Sequence, residues 1–86
     1  VGKYLQDQSV GLEWLGIHNG MLGVELDREW KGAMMRAYDA TGRLLLLESL
    51  GDLLGENFIA MPPIRGWLTV ELSDSEGKIA RWAGVH

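Results

Sequence analysis

Apolar and polar residues alternate with period two through most of this chain, in short runs separated by turn residues. Val10-Gly11-Leu12-Glu13-Trp14-Leu15 sets Val10, Leu12 and Trp14 on one face. His18-Asn19-Gly20 follows, and its Asn-Gly pair is the strongest short turn signal in the chain. Leu22-Gly23-Val24-Glu25-Leu26 then alternates again, with Leu22, Val24 and Leu26 predicted inward. Residues 27–32 are polar apart from Trp30 and read as a connection, which makes Trp30 a candidate for exposure.

The next two segments form the clearest pair. Met34-Met35-Arg36-Ala37-Tyr38-Asp39 leads through Ala40-Thr41-Gly42 into Arg43-Leu44-Leu45-Leu46-Leu47-Glu48, and the short Asp-x-x-Gly turn predicts a hairpin. Four consecutive Leu also fit the opening of a helix, and the spacing from Leu44 to Leu54 is friendly to one. Glycines at 42, 51 and 55 interrupt that stretch too often, so strand is preferred. Asn57-Phe58-Ile59-Ala60-Met61 is a further strand, stopped by Pro62-Pro63. Gly66-Trp67-Leu68-Thr69-Val70-Glu71-Leu72 follows, with Leu68, Val70 and Leu72 inward and Trp67 on the opposite face. After a turn over residues 73–77, Lys78-Ile79-Ala80-Arg81-Trp82-Ala83-Gly84 closes the chain. Seven short strands with turns about every 8 to 12 residues predict an all-β fold, a seven-stranded immunoglobulin-like β-sandwich.

Length confines this pattern to one domain over residues 1–86. Hydrophobic residues at 47% and charged residues at 23% are ordinary for a folded chain. The net charge of −4 comes with no run of Lys and Arg able to neutralise a phosphate backbone, so no nucleic-acid partner is expected. Cys is absent, which removes disulfides and thiolate metal sites. No stretch is apolar over the length of a transmembrane helix. Val1-Gly2-Lys3-Tyr4 has neither an initiator Met nor a signal pattern, and reads as a cut from inside a longer protein whose function this module serves.

Chemistry is sparse. His18 falls in a predicted turn and His86 is the last residue, with no Cys or carboxylate at ligand spacing beside either. Asp27-Arg28-Glu29 and Asp74-Ser75-Glu76-Gly77 lack the alternating oxygen ligands of a calcium loop. Ser9, Ser49, Ser73 and Ser75 lack the Gly-x-Ser-x-Gly setting of an activated nucleophile. The reading is a non-enzyme with no catalytic residue, metal or cofactor. Trp14, Trp30, Trp67 and Trp82, with Tyr4 and Tyr38, offer a second function class, a stacking platform for sugars on an accessory domain of an extracellular enzyme. Two or three of the four Trp are expected to be core or edge-covering residues instead.

Met35-Arg36-Ala37-Tyr38-Asp39-Ala40-Thr41-Gly42-Arg43-Leu44-Leu45 resembles the "V-x-V-Y-D-x-x-G-R-x-V" hairpin of the C-terminal sorting domains of the type IX secretion system. Asn57-Phe58-Ile59-Ala60-Met61 is similar to the "N-x-I-x-L" strand of that family, and Gly66-Trp67-Leu68-Thr69-Val70-Glu71-Leu72 to its Gly-aromatic strand. A short turn and a final strand complete the layout, and the resemblance covers residues 12–86. Three departures stand out. Ile17-His18-Asn19-Gly20-Met21 keeps the Asn but neither proline of the family's opening "Y-P-N-P"; the aromatic sits one place early, at Trp67; and the end reads Arg81-Trp82-Ala83-Gly84-Val85-His86 in place of a Lys-rich, Val-rich strand.

The resemblance implies the C-terminal module of an exported protein that reaches the periplasm by a signal peptide. The folded domain is then the address read by an outer-membrane translocon, and a sortase-like enzyme at the cell surface often removes it. The departures fit a divergent copy belonging to a secretion-system component that keeps its terminal domain at the cell surface. The recognition surface it implies is the last hairpin, with Gly66, Trp67, Lys78, Arg81 and Trp82 as candidate partner-recognition residues. A terminal edge strand there also suits strand exchange into a homodimer.

Overall fold

The computed structural model describes residues 11–86, so Val10 lies outside the described residues. Five antiparallel strands occupy 74% of the described chain, and the all-β reading holds. They are β1 (Leu12–His18), β2 (Met21–Tyr38), β3 (Leu44–Ala60), β4 (Trp67–Ser73) and β5 (Ile79–Val85). The count is five, not the seven expected, because two expected breaks are continuous strand. Residues 27–32 join two predicted strands into β2, and residues 49–56 join two more into β3. The leucine run of β3 is extended, not helical.

The first of these absent breaks has a clear cause. Polar composition made residues 27–32 look like a surface loop, yet Trp30 is 0% exposed and pairs with Leu53 of β3. One large buried ring anchors the segment while its charged neighbours face water. The pairing of β2 with β3 shifts register between Leu26 and Trp30 and again between Trp30 and Ala33. Such irregularities add twist and bend a strand without ending it. Gly32, at φ 59°, sits in this bend in a conformation that side-chain-bearing residues rarely adopt.

β2 organises the sheet. Along one side it pairs with β3 over its whole length; along the other, its first half takes β1 and its second half takes β4, which pairs with β5. The bend makes this antiparallel sheet curl, and inward residues of both halves join one apolar cluster. Leu22, Val24 and Leu26 come from the first half; Met35, Leu68 and Leu72 come from the second. The inward faces read from alternation are borne out at Trp14, at Leu22, Val24 and Leu26, and at Leu68, Val70 and Leu72. Each such large side chain contributes about 1.5 to 3 kcal/mol through burial.

Candidate functional site

The hairpin of β4 and β5 is built around one aspartate. Asp74 N–H donates to the Lys78 carbonyl at 3.0 Å, and Gly77 N–H to the Asp74 carbonyl at 3.3 Å. Its carboxylate oxygen Oδ1 accepts the backbone N–H of Glu76 at 3.0 Å and of Lys78 at 2.7 Å, and Oδ2 takes the Lys78 ammonium at 3.0 Å. The Asp39 turn between β2 and β3 repeats this plan. Asp39 Oδ1 accepts from the Thr41 and Arg43 N–H groups at 2.9 and 3.0 Å, and Arg43 closes an ion pair at 3.3 Å. Both turns read Asp-x-x-Gly followed by a cation, a signal present in the sequence whose side-chain chemistry went unused there.

These contacts perturb titration. The Thr41 hydroxyl and the Arg43 N–H hold the Asp39 carboxyl below its ordinary value. At Asp74, desolvation pushes upward, but the Lys78 ammonium and the Lys78 and Glu76 N–H groups outweigh it, and the carboxyl again lies low. The Glu76 and Asp74 carboxylates raise the Lys78 ammonium.

The five residues singled out from sequence do not converge. Gly66, at φ 107°, precedes β4 and its carbonyl accepts the His86 N–H at 2.8 Å. Trp67 beside it is 39% exposed and pairs with Val85 across the hairpin. Lys78 lies at the far end of the hairpin, about 20 Å away at the usual strand rise. There its ammonium bridges Asp74 and Glu76 and lies 5.9 Å from the centre of the Trp30 ring. Arg81 is on the outward face, ion-paired to Glu71 at 3.2 Å. Trp82 is only 6% exposed and belongs to the core cluster; a Cβ added at Gly84 would come within 2.7 Å of its ring. Its alternation with Ala80 on β5 is the signal that marks it as inward.

Trp30 requires a correction of the same kind. It is buried at the bend and not exposed on a connection, so it offers no face to a sugar. The Asp74 turn packs over this bend, with Ser75 N–H donating to the Lys31 carbonyl at 2.9 Å and Lys78 covering the indole. The cation expected to meet a partner thus ties the hairpin to β2.

Exposed apolar side chains on the hairpin are Trp67, Ile79 and Val85, and β5 stands at one end of the order β1-β2-β4-β5. Ile79 and Arg81 on β5 make further interactions. Beside Gly66, residues Pro63, Ile64, Arg65 and His86 line a recess of about 290 Å³. Among the described residues no three His, Asp or Glu side chains cluster to hold a metal ion. No family model matches the chain, and neither a curated protein nor a solved structure does.

Proposed function

We propose that this chain is a sorting or retained cell-surface domain of type IX character, carried by an exported protein and recognised as a folded β-module. The observation that supports this most is an adjacency. The strand leading into the Tyr38-Asp39 hairpin, the Gly-aromatic strand and the final strand lie side by side as β2, β4 and β5. Segments that resemble the family one by one are thereby neighbours in one sheet. On this reading the curled sheet is a divergent relative of that family's immunoglobulin-like sandwich.

The partners would be the outer-membrane translocon and a sortase-like protein. They would meet the outward side of the hairpin at Trp67, Arg81 and Val85, with Gly66 setting the entry of β4. Lys78 and Trp82 would act indirectly, by holding the hairpin in place. No linear charged or apolar tag competes with this surface for recognition.

The test is to fuse residues 1–86 to the end of a signal-peptide-bearing reporter in a bacterium with a working type IX system. The reporter is expected at the surface or in the medium, and in the periplasm once β5 is deleted. A reporter that stays periplasmic with the intact domain sinks the proposal. The alternative, a carbohydrate-binding or structural accessory domain, keeps Trp67 as the one exposed Trp of its platform, since Trp14, Trp30 and Trp82 are buried, Tyr38 is half-buried and Tyr4 lies outside the described residues. It predicts glycan binding lost in Trp67→Ala with export unaffected.

A further inference from the structure

The half of the sheet made by β1, β3 and the start of β2 has an outward face unlike the rest. Register aligns Glu13 of β1 with Glu25 of β2, and Glu25 with Glu56 of β3. All three are exposed, and none forms an ion pair among the described residues. Like charges directly opposite on neighbouring strands work against the fold. Two residues further along β2 the outward row becomes apolar. Gly23 lies under Leu15 and the Phe58 ring, each 3.0 Å from where a Cβ would sit, and Phe58 is 50% exposed. Met21 continues the apolar surface on the next outward row.

β3 borders this face and, among the described residues, pairs with β2 alone. The Asn57 side chain donates to the carbonyls of Leu54 and Gly55, both at 3.2 Å, and so covers the ladder just before residues 56–60. From Glu56 to Ala60 no strand among the described residues pairs with the outer edge of β3. A second copy of β3 is a poor occupant. The strand carries Glu48, Asp52 and Glu56 with no Lys, Arg or His, so no register between copies brings a cation to an acid. An antiparallel pairing centred on Asp52 would set Glu48 against Glu56.

We propose that the edge of β3 at residues 56–60 receives an extended segment of a different protein, added as a further strand. Its Lys or Arg would lie beside Glu56 at the end of the acidic row, and an apolar side chain two residues away beside Phe58. Backbone pairing supplies the strand addition, and the alternating outward side chains supply selectivity. The cation would turn a repulsive row into a compensated one, which is why charge complementarity selects a basic, apolar strand. This site lies on the opposite half from the β4–β5 hairpin and does not depend on the secretion reading.

The test uses the isotope-labelled 86-residue chain and a capped seven-residue peptide with lysine and leucine alternating on one face and threonine on the other. The peptide is expected to perturb the amides of residues 56–60, Glu13 and Glu25, and to bind more weakly as salt rises. Replacing its lysines by glutamate should weaken binding at least tenfold. Glu56→Lys should do the same, with Glu56→Gln intermediate and Phe58→Ser weakened severalfold, each variant keeping the β circular dichroism. No perturbation at millimolar peptide, equal binding of the glutamate peptide, or changes confined to β4 and β5 would overturn the proposal. Each of those results leaves reporter export untouched, so the two readings fail separately.

Discussion

Two rows of side chains cross the outward face of this sheet, and they obey opposite rules. In the half built on β4 and β5, Glu71 stands between Arg36 and Arg81, with contacts of 3.8 and 3.2 Å. In the other half, Glu13, Glu25 and Glu56 occupy the equivalent arrangement with no cation among them. The same strand, β2, contributes Arg36 to the first row and Glu25 to the second. Exposed pairs of this kind are worth about 0 to 1 kcal/mol, and opposed like charges cost a similar amount. Neither row decides whether the chain folds. The shared core does, and that leaves the acidic row free to serve recognition.

The largest way to break the comparison is to separate the two halves. Trp30→Ala removes the buried ring at the bend and should cost about 3 to 5 kcal/mol, read from urea unfolding. A loss below about 1 kcal/mol would show that the bend is not what couples the halves.

Asp74→Ala comes next, because the Asp74 turn ties the hairpin to the Lys31 carbonyl. With its side chain at 0% exposure and hydrogen bonds to a charged group, a loss of about 2 kcal/mol is expected. Asp39→Ala, in an exposed turn whose backbone hydrogen bonds among the described residues are local, should cost less. Both carboxyls titrate lower when folded than when unfolded. The stability they contribute is therefore complete above the ordinary carboxylate value of about 3.9, and is lost as pH falls through the folded values. An acid-unfolding series should show Asp74→Ala with the shallower dependence in that range. Equal slopes in mutant and parent would contradict this assignment.

Smaller effects test the rows themselves. Glu71→Lys makes the compensated row three cations and should destabilise by about 1 to 2 kcal/mol. Glu25→Lys does the reverse, placing a cation between Glu13 and Glu56, and should stabilise by about 0.5 to 1 kcal/mol. Screening implies that this gain shrinks as salt is raised. A Glu25→Lys variant less stable than its parent at low salt would mean that the acidic row is not repulsive.

Alternation alone identified the inward faces of β1, β4 and the first half of β2, because side-chain direction in a strand depends only on the neighbours in sequence. The Asp39 hairpin was legible for a similar reason, since its hydrogen bonds join residues at most four apart. Trp30 was not legible. Its polar neighbours describe a loop, and only pairing with Leu53 and cover from Lys78 make the segment a strand. The placement of the candidate site residues depended on contacts that alternation does not reveal. Trp67 faces solvent as alternation predicts, but Lys78 and Trp82 are occupied by contacts within the molecule.

By itself, then, the sequence determined the β class, the facing of the regular runs and the positions of the Asp turns, all of which are settled within windows of a few residues. Tertiary structure decided that two expected breaks are bends in continuous strands. It also decided that three glutamates distant in sequence form one row. Register between strands is a relation between remote segments, and a shift of one residue would turn that row to the other face.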